Sequence, residues 1–232
     1  MRKISLATTY YNCPDLAKLF VEKHLPHVDE LIIVDDGSTE QLSIDKILVP
    51  SKKLKLLRTP TDIGFNSHGC RNLAMTKASN DWVIMIDIDR QFKDPQYTFE
   101  SIKYKNNLCK ESRYLFIVHV NDWGTKVHSS VNDFLINKHH FFSVGGYDEE
   151  IAGQRWGDRE FFEQLKSVGG KEKILHDVDL LHFRASTNSL NNPIIKSSSD
   201  IIDQSHVDLI LQRIVSPQTT KPILQFSWFE IT

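Results

Sequence analysis

The run Leu31-Ile32-Ile33-Val34 breaks off abruptly into Asp35-Asp36-Gly37-Ser38, and this junction constrains the fold more than any other feature of the chain. A continuous apolar run rich in β-branched residues has no polar face to show to water, so it fits a parallel strand covered on both sides. Its sudden end gathers polar groups at the strand's carboxyl end. The same arrangement recurs. Lys3 to Thr8 reads as a first buried strand, and Pro14-Asp15 opens a helical pattern carried by Leu16, Leu19, Phe20 and His24. Lys55 to Arg58 is a third strand, Ser67 to Ala78 a helix, and Trp82 to Ile86 a fourth strand that ends at Asp87-Ile88-Asp89. Strands alternating with helices predict right-handed crossovers and a mainly parallel central sheet flanked by helices, an α/β fold. Ligands of such sheets bind beyond the carboxyl ends of the strands.

After residue 110 the rhythm changes to isolated strand-like pieces, Tyr114 to Val120, Asp133 to Asn137 and Leu180 to Arg184, with a helix at Asp158 to Lys166, so this half is more mixed. Ser186 to Ser199, rich in Ser and Asn, reads as a linker, and Ile201, Ile202, Val207, Leu211 and Ile214 mark a helix behind it. At 232 residues and 40% hydrophobic composition the chain can bury a full core. One domain over residues 1–185 with a C-terminal linker and helical appendage over 186–232 is the expected organisation.

Charge and cysteine content exclude several classes. The 28 Lys plus Arg against 30 Asp plus Glu give a net charge of -2 with no basic block, which argues against a nucleic-acid partner. Cys13, Cys70 and Cys109 are too few and too scattered for a disulfide framework or a zinc site, and point to a reducing compartment. The opening MRKISLATTYYN has only a brief apolar run, so neither a signal peptide nor a membrane span is expected, and the chain reads as cytoplasmic.

Asp87 and Asp89 project together from the end of the fourth strand while Ile88 turns back to the core. Two adjacent carboxylates repel and raise each other's pKa unless a cation neutralises them, and a divalent ion with oxygen ligands does so. Asp is also common in solvated turns, so the tripeptide alone leaves both readings open.

LATTYYN, IIVDDGS, IGFNSHGCRN and VIMIDID, in this order and spacing, resemble the N-terminal half of family 2 glycosyltransferases of GT-A fold, a Rossmann-like architecture. FFSVGGYDEEIAGQRWGDREFFEQL is similar to the acceptor-side segment of these enzymes and of galactosyltransferase-like and polypeptide N-acetylgalactosaminyltransferase-like relatives. The resemblance runs over residues 3–185. It implies a nucleotide-sugar-binding half over 1–110, an acceptor and catalytic half over 111–185, and a metal-dependent hexosyl or N-acetylhexosaminyl transfer from a nucleotide-sugar, UDP-linked, to a hydroxyl of a glycan or other acceptor.

By the same resemblance Thr8, Tyr10, Asp35 and Asp36 hold the nucleotide; a carboxylate can accept from the N3–H of uracil or from ribose hydroxyls, and Tyr10 offers a stacking face. Turn formation by Asp35 and Asp36 and packing by Tyr10 are the bland alternatives. Arg71 corresponds to the arginine near the diphosphate, with Cys70 replacing the family's usual alanine, and the alternative is a solvated helix face. Asp87 and Asp89 hold Mn²⁺ or Mg²⁺, and His182 completes the sphere, with His176 a competitor. Asp158 takes the place of the catalytic carboxylate, deprotonating the acceptor for inversion; Glu160 is the substitute if the register is misread, and a helix cap is the structural alternative. Trp123, Trp156 and Tyr147 are equally suited to stacking on sugar and to core packing.

Retention of configuration stays open as a second outcome. A sugar nucleotidyltransferase would need a glycine-rich loop after the first strand, and ATTYYN has no glycine. A catalytically silent nucleotide-sugar-binding protein is the remaining alternative.

Overall fold

The computed structural model of the chain describes residues 1–43, 51–120, 126–151, 157–183, 204–215 and 223–231. The first half builds a parallel sheet from the apolar runs: β1 (Ile4–Tyr10), α1 (Pro14–His24), β2 (Glu30–Asp35), β3 (Leu54–Arg58), α2 (Ser67–Lys77) and β4 (Trp82–Met85). Then follow β5 (Arg90–Phe92), α3 (Pro95–Tyr104), β6 (Ser112–Val120), β7 (Lys126–Asn137), α4 (Lys138–Phe142), a 3₁₀ turn (Glu149–Ile151), α5 (Gly157–Ser167), β8 (Lys171–His182), α6 (Gln204–Val215) and β9 (Phe229–Ile231). The nine strands among the described residues lie in the order β5-β8-β6-β7-β4-β1-β2-β3-β9. β4, β1, β2 and β3 run parallel, β6 and β8 run parallel to each other, and β7, β5 and β9 make the antiparallel joins.

Period-2 alternation along the strands feeds two cores. Ile4, Leu6 and Tyr10 of β1 join Phe20 and Val21 of α1 and Phe99 and Ile102 of α3 on one face, while Ala7 joins Leu73 and Ala74 of α2 and Phe161 and Leu165 of α5 on the other. α1 begins at Pro14, with Asp15 in its first turn and Lys23 and His24 in its last, and buries Ala17, Phe20, Val21 and His24 at helical spacing. α2 is different: besides apolar residues it buries His68, Arg71 and Asn72. Buried polar side chains need partners, and theirs lie at the site described below.

The C-terminal stretch takes part in this architecture. β9 pairs antiparallel with the edge strand β3, Phe226 and Trp228 pack on the second core, and Trp228 receives the Lys77 ammonium 4.0 Å from its ring centroid. Arg213 of α6 bonds Asp148 at 3.1 Å and Glu150 at 2.6 Å. The expected linker at 186–199 lies outside the described residues.

One buried carboxylate ties β1, β2 and the turn before β4. Glu30, 5% exposed, accepts from the Ser5 hydroxyl at 2.5 Å, the Ser79 N–H and hydroxyl at 2.8 Å each, and the Lys55 ammonium at 2.6 Å. Glu30→Ala is expected to cost about 2 kcal/mol, because it removes the acceptor shared by two hydroxyls, an N–H and a cation, while Lys55 keeps the Lys77 carbonyl at 3.0 Å. A fall in the urea midpoint at constant slope checks this. Burial pushes the Glu30 carboxyl up, but Lys55 and the serine donors outweigh it and hold the group below its ordinary value. Its contribution is therefore present above the unfolded carboxylate pKa and is lost as pH falls through the lower folded value.

Candidate active site

The carboxyl ends of β1, β2, β3 and β4 converge with the N-terminal turn of α2, the start of α5 and the end of β8. Asp35 is 1% exposed and fully engaged: Arg58 reaches it at 2.5 Å, and it accepts the N–H groups of Ser38 at 2.9 Å and Leu42 at 3.2 Å. Asp36 differs. One oxygen accepts the Asn66 N–H at 2.9 Å, whereas Oδ1 is buried with no nitrogen or oxygen donor on it among the described residues. Burial pushes its pKa up to about 6. Of the acidic pair, Asp36 is the less fully engaged: besides the Asn66 N–H only the weakly donating Cys70 thiol lies against it among the described residues.

Thr8 is fully buried, its hydroxyl 3.4 Å from the Thr9 carbonyl, and Tyr10 is 2% exposed within the first core. A ring so enclosed presents no face for a base. Both follow from β1 continuing to Tyr10: residues 4, 6, 8 and 10 then share one side of the strand. Tyr11 is the partly exposed neighbour, and its hydroxyl donates to Asp62 at 2.6 Å.

Arg71 is the hub. Its guanidinium donates to Asp158 Oδ1 at 2.5 Å, to the Tyr147 hydroxyl at 3.2 Å and to Asp87 Oδ1 at 2.9 Å, with a side chain 5% exposed. The planar fork lets one cation grip two carboxylates from distant parts of the chain. Arg71 thus lies in the site and not on a solvated helix face. Asp158, in the first turn of α5, also accepts from the Tyr147 hydroxyl at 2.7 Å. Burial pushes its carboxyl up, but Arg71, followed by His68, the Tyr147 hydroxyl and Arg113, holds it below its ordinary value. Glu160 is fully buried and bonded to Gln164, so it does not share the opening onto which Asp158, one-fifth exposed, faces.

Asp89 accepts on one oxygen from His182 Nε2 at 3.0 Å and pairs on the other with Arg90 at 3.1 Å. Burial and then the nearby Asp87 charge raise its pKa. β5 pairs with β8 so that Arg90 stands opposite His182; His176 is exposed, and six residues along a strand carry it about 20 Å away. The geometry therefore selects His182 over His176 as the neighbour of Asp89. Among the described residues no three His, Cys, Asp or Glu side chains converge as a ready-made metal centre. Among the described residues Asp87 Oδ2 is held only by Asn132 at 3.4 Å, and the mutual repulsion of Asp87 and Asp89 is what a divalent cation relieves. Two carboxylates and an imidazole fit Mn²⁺ in donor type, and the two carboxylates by themselves also fit Mg²⁺.

Two supporting residues escaped sequence reasoning. Asp133, fully buried at the β4 side of β7, accepts the Asp87 N–H at 3.0 Å and pairs with Arg90 at 3.4 Å; burial and then the Asp87 charge raise its pKa. The charged residue opening a run of Phe134, Leu135 and Ile136 was its only signal. His68, fully enclosed, stacks on Tyr147 at 4.9 Å between centroids, and its Nδ1 lies 3.0 Å from the Asp148 carbonyl. Tyr147 is itself 0% exposed and unavailable to stack on a sugar, and Trp123 and Trp156 lie outside the described residues.

Comparison with known proteins bears on the fold. The family described as "Glycosyltransferase like family 2" matches residues 91–192, the part carrying Asp133, Tyr147, Asp158 and His182. No curated protein matches the chain by sequence. Among solved structures it is similar to GalNAc-T7 with UDP, GalNAc and Mn²⁺, at TM-score 0.64 and 14% identity over 80% of this chain and 44% of that one. It is similar to the mannosyltransferase PcManGT from Pyrobaculum calidifontis in complex with GDP-Man and Mn²⁺, at TM-score 0.61 and 12% identity over 78% and 57% of the two chains. It also resembles S. aureus TarS, at TM-score 0.57 and 15% identity over 92% and 43%. The chain thus has the GT-A fold of these glycosyltransferases and spans about half the length of each.

Proposed function

We propose that the protein is a metal-dependent glycosyltransferase that uses a nucleotide-sugar, with UDP as the carrier, and an acceptor hydroxyl. The observation that supports it best is the Arg71 bridge: one guanidinium spans Asp87, on the donor side, and Asp158, on the acceptor side. Asp87, Asp89 and His182 would hold Mn²⁺ or Mg²⁺. When bound, such an ion would offset the negative charge on the departing diphosphate. Asp36 contributes its Oδ1, displacing the weak Cys70 thiol donor, to an N–H of the base, and uracil offers one such group at N3. Asp35 acts indirectly, by holding the turn that presents Asp36.

Asp158 accepts the proton of the acceptor hydroxyl as that oxygen attacks the anomeric carbon from the face opposite the diphosphate, which inverts the configuration. Holding both substrates in line supplies much of the rate. Two of the similar structures hold a nucleotide, UDP in one and GDP-Man in the other, each with Mn²⁺; the one Asp36 oxygen not taken by the Asn66 N–H suits uracil, with its single N–H at N3, better than guanine, whose edge presents two donors. Cys13, Cys70 and Cys109 are all free thiols, in keeping with a reducing, cytoplasmic setting. Among the described residues no helix is long and apolar enough to cross a membrane.

Calorimetric titration with UDP, GDP and several UDP-sugars, with and without Mn²⁺, tests the reading. UDP is expected to bind at least about tenfold more tightly with Mn²⁺, a difference of about 1.4 kcal/mol, and Asp87→Ala, Asp89→Ala together should abolish that gain. Failure of every nucleotide to bind in the presence of metal would overturn the assignment. An anomeric assignment of the product by NMR checks inversion.

A further inference from the structure

We infer that Tyr147 is a positioning residue for the proposed base: with Arg71 it occupies one oxygen of Asp158 and so reserves the other for the acceptor hydroxyl. The inference rests on the reading of Asp158 as that base. The Tyr147 hydroxyl donates to Asp158 Oδ1 at 2.7 Å, and Arg71 donates to the same oxygen at 2.5 Å. An oxygen that already receives two strong donors is the poorer proton acceptor of the pair, and two fixed donors also stop the carboxyl group from rotating. The proton then passes from the acceptor hydroxyl to Oδ2 while the acceptor oxygen bonds to the anomeric carbon and the diphosphate departs. Tyr147 keeps its own proton throughout; burial, then the Asp158 charge, raise its pKa well above the ordinary value.

The ring is built to aim this hydroxyl. It lies between His68, at 4.9 Å and 26°, and Phe161, at 4.4 Å and 19°. Its backbone N–H donates to Asn72 Oδ1 and its carbonyl accepts from Asn72 Nδ2, each at 2.9 Å. Two glycines allow the approach. A Cβ on Gly146, at φ +74°, would stand 2.6 Å from Asn72 Oδ1, and one on Gly157 would stand 2.1 Å from the His68 ring. A tyrosine serving packing alone would bury its hydroxyl at a cost; here that hydroxyl is satisfied by the proposed base.

Tyr147→Phe removes the hydroxyl and keeps the ring. In the nucleotide-free protein the Asp158 carboxyl, followed by ¹³C NMR and identified with Asp158→Asn, is expected to titrate about one unit higher in Tyr147→Phe, since a stabilising donor to the ionised form is gone. In turnover of UDP-N-acetylglucosamine, with transfer to water or to added hydroxyl acceptors followed as UDP release, kcat should fall about tenfold to a hundredfold, in line with a lost hydrogen bond to a charged group, with the donor KM within about twofold. Phe161→Leu loosens the packing against the same ring without removing the hydroxyl bond, and should lower the melting temperature while leaving the Asp158 titration in place. An unmoved Asp158 titration in folded Tyr147→Phe would overturn the inference. If Asp158→Asn is inactive while Tyr147→Phe turns over normally, only this inference fails; if Asp158→Asn turns over normally, the base assignment fails first.

Discussion

Asp158→Asn is expected to lower the transfer rate about a thousandfold while leaving nucleotide affinity within a few-fold, the usual scale for removing a general base. The substitution is close to isosteric. The amide oxygen of asparagine can still accept from the Tyr147 hydroxyl and from Arg71, which now reach Asp158 Oδ1 at 2.7 Å and 2.5 Å, so the geometry of the site is retained. What disappears is the capacity to take a proton. Glu160, two residues on, does not replace it, because its side chain is buried against Gln164. Steady-state rates with a UDP-sugar that binds by calorimetry, set beside the variant's affinity for UDP, separate the two effects. Full turnover in a variant that binds UDP normally would move the proton-accepting role elsewhere. Arg71 and its neighbours hold the Asp158 carboxyl below its ordinary value in spite of burial. The base is therefore ionised through the neutral range, and the acid limb that it contributes to the rate profile of the free enzyme is expected below the ordinary carboxylate range.

Much of this site was legible because it is built at strand ends. The runs ending at Asp35-Asp36 and at Asp87-Ile88-Asp89 are short, continuously apolar and interrupted by charge, so their type and their ends could be read together. Asp158 could be placed only through the likeness of its segment to known transferases, since nothing local distinguishes it from a helix-cap aspartate. Placing the end of the first strand at Thr8 hid the phase that carries Thr8 and Tyr10 into the core; two further residues of strand would have turned attention to Tyr11.

The second half was harder for a physical reason. β8 runs from Lys171 to His182, yet its buried residues, Leu175, Val178 and Leu180, do not alternate cleanly, because its register against β6 jumps between Phe116 and Ile117. An irregular pairing erases the period-2 signal, and only the end of that strand was visible. β5 and β9 have three residues each, too few for any periodicity. The role of α2 was obscured by its polarity: a solvated helix face was the alternative for Arg71, and nothing local marked His68 or Asn72, whereas each of the three is buried with a partner far along the chain, at Asp148, Asp158 and Tyr147 for His68, Arg71 and Asn72 respectively. Pairings at such separation leave no local trace.

Arg71→Met is the substitution expected to damage both stability and function. Methionine retains the apolar stem, so the loss is that of the charge and its donors. The change strands two carboxylates that one cation now holds, Asp87 at 2.9 Å and Asp158 at 2.5 Å, and removes the cation poised 5.4 Å from the Tyr147 ring centroid. Removing one partner of a buried pair costs about 3–5 kcal/mol. Asp87 and Asp158 keep 29% and 20% of their side-chain exposure, so water offsets part of the loss and the lower end, about 3 kcal/mol, applies. A shift of the denaturant midpoint at pH 7 measures it. The acid dependence identifies the cause. Asp158 has a depressed folded pKa, so its pairing with Arg71 stabilises the protein above the unfolded carboxylate pKa, and that contribution fades as pH falls through the folded value. The gap between wild type and Arg71→Met should accordingly be full at neutral pH and shrink in acid. A gap that stays constant with pH would show that the stem and packing, and not the charge, were responsible. Combining the substitution with Asp158→Asn supplies the coupling: the double variant should lose less stability than the two single losses added, because each removes the same ion pair.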